Sequence, residues 1–415
     1  MKIYLVGGAV RDSLLNLPFQ DKDWVVVGGT KKMLLDKNFQ QVGKDFPVFL
    51  HPKTHEEYAL ARTDRKNGVG YFGFNTISNK DITLEEDLIR RDLTINAIAQ
   101  DENGNYIDPF QGIKDIKYRL LRHVSESFIE DPLRILRTAR FAASLAHLGF
   151  CVAKETIELM KIMVKKKELS YLTSNRIWNE TKKALKTFHP HVYFQILNDC
   201  KALKFIFPEI HYFCKKNFFL NFNSLHRKNR KNPIMGLSKI SSLNKDVSIR
   251  FSYLCQFVSS SYIDKNFFNS MTIFHDSHSA YIVKKLCQRL NVPSNIRDIA
   301  VLSAGFYNFL STIHYQSSKN IVILLLRIDA WRKPDRVNVL SFLSNFNSKS
   351  LFQSHKLYLN SHSFLKIAFS IIQNISIQSI LNKGFKGYEI KKELNRLRVK
   401  KLDLWRSKYT VKYNF

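Results

Sequence analysis

The sequence predicts a multidomain α+β chain, with a mixed α/β head followed by a long all-helical part. Three observations carry this. Up to about residue 112, short apolar runs alternate with glycine turns and short helical segments. Beyond that point the apolar spacing turns helical almost throughout. No run of about 18 apolar residues interrupts either part, so no transmembrane helix is expected. At 415 residues the chain is long enough to bury a large core and to divide into two to four domains.

Taken in order, residues 2–6 read as a strand, Gly7-Gly8 as a tight turn and residues 9–16 as a short helix that Pro18 breaks. Asp21–Val27 reads as a buried strand. Thr30 caps a helix over about 31–37, and residues 46–50 and 56–62 alternate as strands do. Gly68, Gly70 and Gly73 among polar residues predict a mobile loop over 64–81. Thr83-Leu84-Glu85-Glu86 has the capping-box pattern and predicts a helix through Asn96. Residues 106–108 make a last short strand; Pro132, Asn175 and Pro293 mark later helix starts.

Charge is divided unevenly. Residues 1–140 carry 21 Lys and Arg against 20 Asp and Glu, whereas residues 141–415 carry 44 against 15. A polyanion along the basic back half is the natural partner, nucleic acid before an anionic membrane surface. Composition rich in Lys, Asn, Ile and Phe is also what biased genomic base content produces, which accounts for part of the charge. Five scattered cysteines with no CxxC pair point to a reducing cytoplasm and away from a disulfide or zinc framework. The apolar start is too short for a signal peptide, with Arg11-Asp12 following at once.

The chemistry begins at Asp21-Lys22-Asp23. Residues i and i+2 of a strand share a face, so both carboxylates can aim at one point. Mg²⁺ is held this way, by one or two carboxylates plus substrate phosphates. Two solvated aspartates at a strand end are the plainer alternative. The Gly7-Gly8 turn lets backbone approach a phosphate, with the helix N-terminus favouring the anion and Arg11 one turn on. Arg90-Arg91-Asp92, expected on a helix, offers one guanidinium to the same site, or else a solvated basic face. After Glu130-Asp131-Pro132, Arg134, Arg137 and Arg140 fall near one helix face. A carboxylate and a guanidinium presented together can read the edge of a base, as Asp131 and Arg134 would; a capping acid on an arginine-rich face is the plainer reading.

These three sets, in this order and spacing, resemble the class II tRNA nucleotidyltransferases, the CCA-adding enzymes of the DNA polymerase beta superfamily. Similarity to the gammaproteobacterial members is nearly continuous over residues 1–150 and traceable later, as in Leu286-Cys287-Gln288-Arg289-Leu290 and Asp329-Ala330-Trp331-Arg332-Lys333-Pro334. The resemblance implies that Gly8, Arg11, Arg91, Arg137 and Arg140 bind CTP or ATP. It implies that Asp21 and Asp23 are catalytic and bind Mg²⁺, and that Asp131 and Arg134 select C and then A. The tRNA 3′ hydroxyl would attack the α-phosphate, with two ions about 3.5–4 Å apart serving the attacking and leaving oxygens. Glu57 and Asp92 are both open as a third carboxylate.

The same resemblance implies four segments: a nucleotidyltransferase head over 1–112, a neck over 113–225 carrying the selecting helix 130–140, an HD-like body over 226–330 and a tRNA-binding tail over 331–415. Relatives with a working HD phosphohydrolase domain carry a His-Asp pair where this chain has Gln256-Phe257. Phe cannot ligate a metal, so a degenerate HD fold is expected, and His275-Asp276 with His278 reads as a remnant or coincidence. The basic body would hold the tRNA acceptor arm, with Lys165-Lys166-Lys167, Arg227-Lys228, Arg230-Lys231 and Lys391-Lys392 as candidate contacts. The expected state is a cytoplasmic monomer or weak homodimer. The nearest alternative is a poly(A) polymerase, which uses ATP only and usually has a more basic tail; a non-catalytic tRNA-binding descendant is the other.

Overall fold

The computed structural model describes residues 1–19, 21–42, 48–66, 74–212, 233–261, 276–351 and 361–413. They form two units, Met1–Ile206 and Phe207–Phe415.

In the first unit the chain runs β1 (Lys2–Val6), α1 (Gly8–Leu14), β2 (Asp23–Val27), α2 (Lys31–Asp36), β3 (Gln40–Val42), β4 (Val48–Leu50) and β5 (Glu57–Leu60). A hairpin, β6 (Thr63–Lys66) and β7 (Phe74–Ile77), leads to α3 (Leu84–Ile89), β8 (Ala99–Gln100) and β9 (Tyr106–Ile107). Seven strands form one mixed sheet in the order β3-β4-β5-β2-β1-β8-β9. β2 lies at its centre, antiparallel to β1 and parallel to β5. Period-two alternation gives β2 two apolar faces. Val25 packs with Val6, Ala61, Leu88 and Ala99 on one side, while Val26 packs with Leu34, Phe49 and Leu60 on the other. A strand buried on both faces at mid-sheet is a rigid place from which to present Asp23 at its N-terminal end.

Helices dominate the remainder of the unit: α4 (Gly112–Tyr118), α5 (Leu133–Leu145), α6 (Lys154–Lys165), α7 (Ser174–Lys186), α8 (Pro190–Asp199) and α9 (Leu203–Ile206). Two short strands, β10 (Leu120–Leu121) and β11 (Cys151–Val152), pair in parallel among them. Pro132 precedes α5 with φ −62°, the value its ring imposes. Ile135, Leu136, Ala139, Ala142 and Ala143 of α5 are buried. Each Leu or Ile so buried contributes about 1.5–3 kcal/mol, enough to outweigh the roughly 0.5–1 kcal/mol of side-chain freedom it loses. The apolar side thus anchors α5, and its arginine side is held in place.

Three local expectations need correction. The segment 64–81 holds most of the antiparallel β6–β7 pair, with Thr63 opposite Ile77; residues 67–73, and with them the predicted mobile glycines, lie outside the described residues. β3 was not expected. The helix predicted through Asn96 stops at Ile89, and after Arg90 the chain bends into a single 3-10 turn at Thr94–Asn96. Side chains compete with the helix there. The Asp92 carboxylate takes the Leu93 amide, whereas the bonds of Arg90 and Arg91 back to Asp87 hold the last turn itself. Leu93 is extended and bridges to His123. Gly112 lets α4 press on this turn, since a Cβ there would come 2.2 Å from the Thr94 carbonyl oxygen.

The second unit is helical in all its described elements. The helices Val247–Cys255, Ser277–Arg289 and Ser294–Gly305 pack together. A separate core gathers Phe306, Ile313, Leu325, Leu340, Leu365 and Leu402. Among the described residues no helix is long and apolar enough to cross a membrane.

Candidate active site

A cavity of about 570 Å³ opens where the β1–α1 turn, the start of β2, the Arg90–Asn96 segment, α5 and α7 converge. Gly7 is its hinge. It has φ +74°, which favours glycine, and a Cβ there would meet Nη1 of Arg91 at 3.2 Å and Oδ2 of Asp23 at 3.8 Å. The turn, the guanidinium and the carboxylate therefore meet at one point. Gly8 follows as the first residue of α1 and lines the same cavity.

Register fixes the carboxylates. Asp23 pairs with Val6 across β1 and with Glu57 across parallel β5, so Glu57 stands beside Asp23 on the same face. Asp21 precedes the strand rather than beginning it, is exposed and does not line the cavity. Its charge still reaches Asp23. Desolvation raises the Asp23 carboxyl above its ordinary value, Arg91 opposes the rise and Asp21 adds to it. A pair of hard oxygen donors with excess negative charge is what a hard divalent cation relieves. Among the described residues no group of three or more His, Cys, Asp or Glu gathers at metal-ligand spacing. Asp92, by contrast, is buried and engaged. Burial alone would raise it, but the Arg137 guanidinium and the Asn96 amide hold it far below the usual carboxylate range. Of the two candidates for a third carboxylate, Glu57 alone stands in register with Asp23.

The arginines are held by specific partners. Arg91 donates Nη2 to Oδ2 of Asp87 at 3.1 Å. Asp87 is fully buried, and Arg91 and Arg90 together overcome its desolvation and keep it ionised. Arg11 forks onto Asp12 through Nε at 2.8 Å and Nη2 at 2.9 Å, and reaches Oδ1 of Asn96 with Nη1 at 2.7 Å. Arg137 donates Nε to Oδ2 of Asp92 at 2.6 Å. Arg140 does not line the cavity; its Nε turns to Glu180 of α7. Arg11, Arg137 and Arg140 all lie over the Phe141 ring, at 5.1, 5.7 and 4.1 Å from its centroid. Like charges gathered this closely favour an anionic ligand.

Asp131 and Arg134 line the cavity together. Asp131 accepts the Leu133 amide at 3.0 Å and Nη2 of Arg176 at 2.9 Å. Arg134 donates to the Ser127 carbonyl at 2.8 Å and to the Arg90 carbonyl. Sequence reasoning missed Arg176, Glu180, Asp87, Asn96 and Phe141. For Arg176 and Glu180 the only local hint is their i, i+4 spacing on one helix.

In the second unit, buried Gln256 ends the helix Val247–Cys255, and Phe257 packs edge-on against Tyr253 at 4.9 Å. Asp276 caps the next helix by accepting the Ser279 amide at 3.0 Å, His278 is exposed, and His275 lies outside the described residues.

Residues 3–122 match the family model described as the poly A polymerase head domain. Residues 149–214 match that of the probable RNA and SrmB-binding site of polymerase A. The chain is 66% identical to the CCA-adding enzyme of Buchnera aphidicola subsp. Acyrthosiphon pisum (strain Tuc7) over all of both chains. It belongs to the CCA-adding enzymes. The family relation holds at 65% identity with the enzyme of Buchnera aphidicola subsp. Schizaphis graminum, over 98% of each chain. Among solved structures, an apo CCA-adding enzyme shares the fold with a TM-score of 0.64 at 20% identity, over 97% of this chain and 88% of that one. A CCA-adding enzyme in complex with ATP matches at 0.64 and 22%, over 97% and 86%. Both are too distant in sequence to carry more than the fold.

Proposed function

We propose that this CCA-adding enzyme builds and repairs the 3′-terminal CCA of tRNA from CTP and ATP, releasing pyrophosphate. The observation that carries the reading is the meeting of Arg91 and Asp23 at Gly7, across one cavity from Asp131 and Arg134. The Gly7-Gly8 turn lets the triphosphate lie against backbone, and Arg11, Arg91 and Arg137 hold it by charge; Arg140, expected to do the same, stands off the cavity lining on Glu180 and adds charge only from behind Phe141. Asp131 accepts from the exocyclic amino group that cytosine and adenine share and uracil lacks, while Arg134 donates to the ring. Asp21 and Asp23, with oxygens of the triphosphate, would hold divalent metal, magnesium in our reading. When bound, it supplies charge neutralisation at the attacking and leaving oxygens. Fixing the 3′ hydroxyl and the α-phosphate in one geometry supplies much of the remaining rate.

In this reading the chain divides into a head (1–112), a neck (113–225), an HD-like body (226–330) and a tail (331–415). tRNA is held by charge and shape, with the exposed Lys165-Lys166-Lys167 and Lys391-Lys392 among the contacts. Arg227-Lys228 and Arg230-Lys231 lie outside the described residues. Incubating the protein with tRNA lacking CCA and each labelled triphosphate tests the function. We expect two C additions from CTP alone and a terminal A only after them; AMP tracts without CTP use would instead mark a poly(A) polymerase.

The body has a second, negative role in this proposal. With Gln256 and Phe257 in place of a His-Asp pair it carries no phosphohydrolase activity. Purified protein with divalent metals should leave 2′,3′-cyclic AMP intact. Hydrolysis that disappears in His275→Ala would overturn this.

A further inference from the structure

Two arginines approach the cavity from different elements, Arg11 from α1 and Arg137 from α5, and Asn96 lies between them, 6% exposed. Arginine only donates and an ionised carboxylate only accepts. The orientation of the Asn96 carboxamide is therefore forced. Its Oδ1 accepts from Nη1 of Arg11 at 2.7 Å, and its Nδ2 donates to Oδ1 of Asp92 at 3.0 Å. The other Asp92 oxygen takes Nε of Arg137 at 2.6 Å. One continuous chain of charge-assisted bonds thus runs from Arg11 through Asn96 and Asp92 to Arg137.

We propose that Asn96 is a positioning residue that locks Arg11 and Arg137 into one relative geometry, so that they engage the triphosphate as a unit. This rests on the reading that both arginines hold the nucleotide. It adds the group that sets their spacing. A bridge between an obligate donor and an obligate acceptor must accept at one end and donate at the other, at a fixed reach. Asparagine does so; aspartate accepts at both ends and would repel Asp92, and alanine does neither. Asn96 touches neither Asp131 nor Arg134 in this chain of bonds, so it serves CTP and ATP alike.

The test is calorimetric titration of CTP and of ATP into the full-length protein, without tRNA. The variants are Asn96→Ala, Asn96→Asp, Arg11→Ala, Arg137→Ala and the triple Asn96→Ala/Arg11→Ala/Arg137→Ala. Asn96→Ala should weaken both nucleotides by the same factor, about tenfold if one charged hydrogen bond is lost from each arginine's support. Asn96→Asp, of the same shape, should weaken both as well, which keeps the test open if the alanine variant folds poorly. In the background lacking both arginines, adding Asn96→Ala should cost less than about twofold, because a residue that acts through the arginines has nothing left to position. A full loss in that background, or a loss confined to one nucleotide, would overturn the proposal. If Arg11→Ala and Arg137→Ala each bind both nucleotides as the wild type does, the nucleotide assignment itself falls and takes this proposal with it. That failure shows in the arginine variants, whatever Asn96 does.

Discussion

Asp23→Asn should abolish nucleotide addition, by about a thousandfold or more, while leaving the fold intact and tRNA bound. A metal held by the aspartates would contribute several kcal/mol of transition-state charge stabilisation, and each 1.36 kcal/mol is tenfold in rate. Losing one of two carboxylates removes most of that. Stability moves the other way. Desolvation and Asp21 raise the folded-state value of Asp23 above the ordinary 3.8 against the pull of Arg91. A carboxyl raised by folding favours the protonated native state, so the stability it contributes is present below its unfolded value and lost as pH rises through the folded one. At neutral pH the ionised side chain therefore opposes folding, and asparagine does not. The metal-free variant should melt at or above the wild-type temperature at pH 7, with the two curves converging in acid below about 3.8. Magnesium should raise the melting temperature of the wild type and not of the variant. Retention of a tenth of wild-type activity, or a clear drop in melting temperature, would refute the assignment. tRNA retention, measured across salt, should be unchanged if, as proposed, phosphate contacts by the basic surface carry it.

Much of the cavity's lining is legible in the sequence, though not Asp21 or Arg140, which lie off it, because residue type and local spacing suffice for the rest. Asp21 and Asp23 fall two apart at the mouth of an apolar run, and the paired strand β2 puts Asp23 on the same face as Glu57. Gly7 lies between a strand and a helix, and its positive φ is what that turn requires. That Phe257 can offer no ligand to a metal needs no structure to read, since a phenyl ring has no donor atom. What the sequence hides is the partner of each charge. The segment Arg90–Asn96 has helix-compatible spacing, yet Asp92 draws the Leu93 amide into a local bond beyond the last helical turn, and the chain leaves the helix there. Propensity is a weak prior against such competition. Arg176 reaches Asp131 across 45 positions and Glu180 reaches Arg140 across 40. Neither pairing leaves a mark in local spacing, because it is the packing of α5 on α7 that creates it.

The largest effect on stability is expected at Asp92. Its carboxylate is 5% exposed and joins Arg137 of α5 to the Arg90–Asn96 segment, so it ties that helix to the turn leading into β8. Asp92→Asn keeps the shape and deletes the charge. Removing one partner of a buried ion pair typically costs about 3–5 kcal/mol, because the other charge is left behind. Here the Arg137 side chain is 37% exposed and can recover some water, which sets the expectation near the lower end. About 3 kcal/mol corresponds to a melting-temperature drop on the order of 10 °C for a unit of this size. The pH dependence distinguishes this cause from a packing defect. Folding depresses Asp92 far below its ordinary 3.8, Arg137 and Asn96 overcoming the burial that alone would raise it. A carboxyl depressed by folding contributes stability that is present above the unfolded value and lost as pH falls toward the folded one. The gap between wild type and Asp92→Asn should therefore be flat from about pH 5 to 8 and should close only in acid below about 3.8. A gap unchanged in acid would mean that shape, not charge, was lost. Replacing both partners with apolar groups, Asp92→Leu with Arg137→Met, should cost less than the two single changes together, because neither charge is then stranded. Strict additivity would show that Asp92 and Arg137 do not stabilise one another. The doubly apolar protein, even if well folded, should add nucleotides poorly if, as proposed, the guanidinium of Arg137 holds the triphosphate.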